Sequence, residues 1–221
     1  MLGNLGVLDL EFGKPDDAIA HYRSALEMAR ELGDPYGTTH PLINLGRVLV
    51  LVGRLPEAQR LLQEALDNCR RLGDPVREAI TLQVLALAAL AESRPDEAAD
   101  MAAASLRLSH RGSDRLIVAA SLEALGTVAL ARGAPDTAAR FLAAAESVRE
   151  QAGAVRESAD QPGFERDMLA ARAALGDVAF DAAWLGGRTL SFDAAAAEGI
   201  SYAAGPTDVA RSPDAARSTD A

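Results

Sequence analysis

Apolar and small residues recur along the first two thirds of the chain in a pattern that repeats every 40 positions. Leu5-Gly6 returns as Leu45-Gly46, Leu85-Ala86 and Leu125-Gly126. Ala18, Ala58, Ala98 and Ala138 form a second track, and Ala25, Ala65, Ser105 and Ala145 a third. Helix-breaking positions keep the same register, as Gly13, Gly53, Ser93 and Gly133, then as Gly33, Gly73, Ser113 and Gly153. Self-similarity at a period of about 20–50 residues marks a repeat architecture.

Each unit predicts two helices. In the second copy Leu42, Leu45, Leu49 and Val52 make an apolar stripe at helical spacing. Gly53-Arg54-Leu55 stops that helix, and Pro56 opens the next, where its missing N–H costs nothing. Ala58, Leu61, Leu62, Ala65, Leu66, Cys69 and Leu72 form the second stripe. Gly73 then suits a left-handed cap, Asp74 can cap the next helix, and Pro75 prevents continuation. Gly46 and Ala58 mark points where two helices approach closely. Neither helix buries its stripe alone, so the units must stack into a solenoid.

The Leu-Gly pair of the first helix, the small residue early in the second and the proline at its start resemble tetratricopeptide repeats. The usual repeat is about 34 residues, and the 40-residue unit here implies lengthened helices. The resemblance covers about residues 2–153 as four helix pairs. It implies an all-α fold, a right-handed superhelical solenoid of antiparallel helix pairs closed by a C-terminal capping helix pair. Leu175-Gly176 restarts the pattern out of register. The expected organisation is therefore four pairs over 1–153, a linker or elbow over 154–166, a degenerate fifth pair over 167–202 and a disordered tail over 203–221.

The closing segment is similar to the end of the repeat arm in large actinobacterial ATPase-linked regulators, including LuxR-type ones. The matching residues are Gly153-Ala154, Pro162, Glu165-Arg166, Leu175-Gly176, Phe180, Trp184, Gly187-Arg188, Leu190-Ser191 and Ala195. Such regulators carry a nucleotide-binding switch domain ahead of the repeats, and some carry a DNA-binding helix-turn-helix after them. No GxxxxGK[ST] run stands here, and the tail is rich in Ala, Pro, Asp and Ser. Gly6 places Met1 about two residues into the expected first helix, which suggests a detached arm.

Composition narrows the chemistry. The 221 residues are 49% hydrophobic, enough for a sizeable core, and 22 basic against 32 acidic side chains leave a net charge of −10. That balance argues against nucleic acid or an anionic membrane as a direct partner. A single cysteine forms no internal disulfide and fits a reducing, cytoplasmic setting. The opening residues lack the basic region of a secretory signal, and no apolar run approaches the roughly twenty residues of a membrane helix.

Catalytic constellations are absent from the sequence. His21, His40 and His110 are far apart, so no metal site is expected. Cys69 has Ala29 and Ser109 as repeat equivalents and reads as a small core filler. Asp16-Asp17 fall at a helix start, where they favour the helix dipole. Phe180 and Trp184 read as a terminal cap. The expectation is a non-enzymatic protein without cofactor.

In tetratricopeptide solenoids the first helix of each pair lines a concave groove. By position the resemblance assigns to it Asn4 and Val7, then His40, Ile43, Asn44, Arg47 and Val50. Ile80, Gln83, Val84, Leu87 and Leu90 come next in the third unit, and Glu123, Thr127 and Leu130 in the fourth. Asn4 and Asn44 match the asparagines of the clamp that holds C-terminal carboxylates. That clamp needs basic residues in the third unit, where Ile80 and Val84 stand. The groove thus reads as mildly apolar and suited to an amphipathic helix from a protein or peptide partner. The competing reading of these positions is packing between adjacent helices. At the level of function, the expected role is an interaction module, the arm of a signalling or transcription regulator. The alternative is a free-standing scaffold that self-associates through its end repeats.

Overall fold

The computed structural model describes residues 2–156 and 158–205, with side chains from Leu5 onward, and all of its regular structure is α-helix. Four pairs come first: α1 (Leu2–Glu11) with α2 (Pro15–Glu31), α3 (Pro35–Leu51) with α4 (Leu55–Leu72), α5 (Pro75–Ala91) with α6 (Pro95–Arg111), and α7 (Arg115–Ala131) with α8 (Pro135–Gln151). Three helices close the described chain: α9 (Gln161–Leu175), α10 (Asp177–Arg188) and α11 (Phe192–Ala203). None of these helices is long and apolar enough to cross a membrane.

Local chemistry sets the punctuation. Between the helices of each pair the chain turns through a left-handed residue, with φ of 68° at Gly13, 76° at Gly53, 58° at Ser93 and 72° at Gly133. Between pairs the same occurs at Gly33, Gly73, Ser113 and Gly153, with φ of 62°, 65°, 55° and 65°. Ser93 and Ser113 carry a Cβ into a region that disfavours it. Asp34, Asp74 and Asp114 then cap α3, α5 and α7, accepting from backbone N–H groups of Gly37, Arg77, Leu116 and Ile117. The next position in register is Ala154, which has no cap to offer, and the regular alternation of helices ends there.

Packing depends on size matching across each pair. A Cβ added at Gly6 would lie 2.5 Å from the Tyr22 ring, one at Gly46 2.6 Å from Leu62, and one at Gly126 3.0 Å from Leu142. In the third unit the glycine is Ala86, and the residue in register with Tyr22, Leu62 and Leu142 is Ala102. Both alanines are fully buried in one core cluster. Volume lost on one helix is returned on the other, as close-packed interiors require.

Consecutive pairs stack. Helix α3 packs on α5 and α5 on α7, whereas contact between α4, α6 and α8 in sequence is marginal at most. The odd-numbered helices therefore form the inner side of the curve.

The closing segment differs from the expected pair in three ways. First, α9 begins at Gln161 rather than 167, because Pro162 occupies its first turn, where proline is tolerated. Second, Leu175-Gly176 does not repeat the mid-helix pair of α1, α3 and α7. Gly176 takes φ 76° and ψ 161° and separates α9 from α10. A third helix, α11, capped by Ser191, then folds back across α6, α7 and α8. Gly187 lets α10 cross α8 closely, since a Cβ there would fall 2.1 Å from the Arg140 carbonyl oxygen. The expected tail begins at 203; Ala203 closes α11, and residues 206–221 lie outside the described residues.

Two consequences for stability can be measured. Ser93→Gly and Ser113→Gly should each stabilise by about 0.5–1 kcal/mol, relief of the left-handed strain exceeding the entropy cost of glycine. That should raise the melting temperature by roughly 2–4 °C per kcal/mol, and a fall in either variant would contradict the turn assignment. Ala102→Leu should cost about 1–3 kcal/mol by overpacking. Adding Ala86→Gly should recover part of that loss, and strict additivity in urea titrations would refute the size-matching account.

Candidate functional site: the inner groove

Three tracks along the inner helices stay partly open while their neighbours are buried. They are His40, Ile80 and Ala120; Arg47, Leu87 and Thr127; and Val50, Leu90 and Leu130. Between them run buried core positions such as Leu45, Leu85 and Leu125. Of the expected groove residues, His40 is exposed, and Asn44, Arg47, Gln83, Leu87, Glu123 and Thr127 are half-buried. Ile43 is 4% exposed and belongs to the core of the first two pairs, so it is not a groove residue. Val84 is likewise core at 1%. The side chain of Asn4 lies outside the described residues.

The N-terminal half of the groove holds a cavity of about 300 Å³. Val7, Leu10 and Tyr22 supply its apolar wall, and Glu11, His40, Asn44 and Arg47 its polar one. Asn44 Nδ2 lies 3.1 Å from His40 Nε2, so the two side chains hold each other one helical turn apart. His40 sits at the rim, yet the protein around its ring desolvates it and, with the nearby Arg77 guanidinium, pushes its pKa below 6.5.

The cavity's far wall is formed by Ser158 and Ala159, from the segment between α8 and α9. That segment is not a spacer on the outside but reaches back over the inner face. Arg47 donates to Asp160 Oδ2 at 2.6 Å, a contact 113 residues apart in sequence. Arg156 enters the fourth unit with only 6% of its side chain exposed. It donates to Glu123 at 2.8 Å and Glu146 at 2.7 Å, and its guanidinium lies 3.5 Å from the centroid of the Phe164 ring. Burial disfavours its charge, but the bonds to Glu123 and Glu146 outweigh that and raise its pKa. Arg149 also donates to Glu123 at 2.9 Å. Thr127 donates to Asp167 of α9 at 2.6 Å, and that aspartate is 6% exposed.

In the second and fourth units, expected groove residues thus meet partners inside the chain. Arg156, Asp160, Glu146, Phe164 and Asp167 escape sequence reading, because their positions look like linker or helix surface. The loss of the aspartate cap at Ala154 is a local signal that the chain changes course there.

Elsewhere the side chains serve the fold. Cys69 is fully buried, with its thiol pKa pushed up by burial and its sulfur 3.8 Å from Thr81 Oγ1. His21 pairs with Asp9, and His110 pairs with Asp193 while packing against Phe192. Phe180 is buried and stacks on Trp184 at 5.5 Å between centroids. Among the described residues no three His, Cys, Asp or Glu side chains converge as a metal site would require.

Comparison with known proteins agrees with this geometry. No curated protein matches the chain. The family model described as a tetratricopeptide repeat matches residues 1–71 and again residues 38–109. The match ends near the close of α6, while the same turns, caps and glycine-to-leucine contact continue through α7 and α8. Across residues 1–109 the chain carries tetratricopeptide repeats.

Proposed function

We propose that the chain is a non-enzymatic interaction module that holds a protein segment in its inner groove, as the arm of a signalling or transcription regulator. The observation that carries this reading is the contrast between tracks. Core positions repeat one residue type, as in Leu45, Leu85 and Leu125, whereas the open track beside them runs Arg47, Leu87 and Thr127. Identical backbone positions with different chemistry suit a surface that distinguishes ligands. Tetratricopeptide repeats generally serve protein–protein interaction, which accords with it. The regulator resemblance is supported by its marker residues, since Phe180, Gly187, Ser191 and Ala195 are the ones that build the closing helices.

Asn44→Ala combined with Gln83→Arg alters the groove while leaving Arg47 and its partner Asp160 in place. Partners captured by the immobilised chain and cross-linked to the inner helices should be lost from this variant, with its melting temperature retained. An unchanged set of captured proteins would place binding elsewhere.

A second reading rests on a different observation. Leu5 and Leu8 are 44% and 47% exposed, although their equivalents Leu45, Leu85, Leu125, Val48, Ala88 and Val128 are buried. They leave apolar side chains exposed on α1, the first helix of the stack, and such a surface suits self-association. On this reading the mass measured by light scattering rises with concentration, and Leu8→Glu returns it to 23.1 kDa. A concentration-independent 23.1 kDa in the unaltered chain would eliminate it.

A further inference from the structure

The groove carries both charges at each end, Glu11 beside Arg47 and Arg149 on Glu123. Arg47 stands in the second unit, and Glu123 and Glu146 stand in the fourth. The segment between α8 and α9 answers both, with Arg156 placed on the two glutamates and Asp160 on Arg47. Its apolar residue Val155 turns outward at 91% exposure, so recognition is carried by charge and hydrogen bonding. Ser158, Ala159 and Asp160 form the turn that leads into α9, so the two anchors tie this connection to the fourth unit at Arg156 and to the second at Asp160. Beside it the 300 Å³ cavity remains open to the side chains of a ligand.

We infer that Arg156 and Asp160 make the connection that carries them a built-in occupant of the groove, and that the outside partner is a segment of the same chemistry, an arginine with a carboxylate four residues later, which displaces it. The inference rests on the proposed groove function and names its ligand. Charge complementarity supplies the direction: the basic residue meets Glu123 and Glu146, and the acidic one meets Arg47. The built-in occupant also sets a threshold. A tethered segment competes at an effective concentration on the order of millimolar, so a weak ligand is excluded while a better match enters.

The test uses the full chain and a fluorescent peptide with the sequence of residues 154–166. Arg156→Ala with Asp160→Ala releases the tethered segment, and the released chain should bind the peptide at least tenfold tighter than the unaltered chain by fluorescence anisotropy. A peptide with glutamate in place of Arg156 and arginine in place of Asp160 should bind the released chain at least tenfold more weakly. Because Arg156→Ala removes a cation from Glu123 and Glu146, Asp160→Asn alone serves as a second variant with the cluster intact, and it should shift affinity in the same direction. Equal affinity of the released and unaltered chains, or equal binding of both peptides, would overturn the inference. If the released chain still captures partners at the inner helices but binds no peptide, the built-in occupant is rejected and the groove reading stands. If it captures nothing there and binds no peptide, both fall.

Discussion

The close approach of two antiparallel helices, made possible by a missing or minimal side chain on one of them, is the contact on which the rest of the structure depends. Gly6, Gly46 and Gly126 each receive a large side chain of the partner helix, and the third unit solves the same problem with two alanines. Helices held this near exclude water along their whole length, so small residues support a continuous core despite their modest individual burial. Once each pair is fixed in this way, its remaining apolar face can be covered only by the next pair. Stacking then propagates through the chain.

The same device recurs outside the repeats, with a different result. Gly187 brings α10 against the backbone of α8, and Gly199 of α11 sits among Leu106, Leu122 and Leu125. Charged side chains rim these contacts, with Arg140 bound to Glu198 and Arg132 both bound to Asp96 and stacked over Tyr202. The last helix thereby covers the outer faces of the third and fourth units instead of extending the row. A repeat array that ends by folding back on itself closes its own core at that end, while the opposite end keeps Leu5 and Leu8 in solvent.

The groove has a logic separate from the core. Its buried cation, Arg156, is held by two carboxylates and an aromatic face, an arrangement in which each group offsets the desolvation of the others. Such a cluster contributes little net stability compared with apolar packing of the same volume, but it fixes where one segment lies. Position, more than energy, is what the charged residues of the inner face determine.

Local chemistry determined the repeat by itself. Left-handed turns, aspartate caps and small-residue tracks act within one or two helical turns of their own position, so the register of 40 and the helix boundaries of the first four pairs are legible in the letters. Even the two serines at left-handed positions announce themselves by standing in a glycine track. Tertiary structure alone decided the rest. Pro162-Gly163 reads as a break, but proline in a first turn is harmless, and Leu175-Gly176 ends a helix where the same letters elsewhere run through one. Whether Ile43 faces the groove or the core, and whether Asp160 reaches Arg47, depends on the curvature of the stack and on contacts 113 residues apart. No pattern confined to neighbouring residues encodes them.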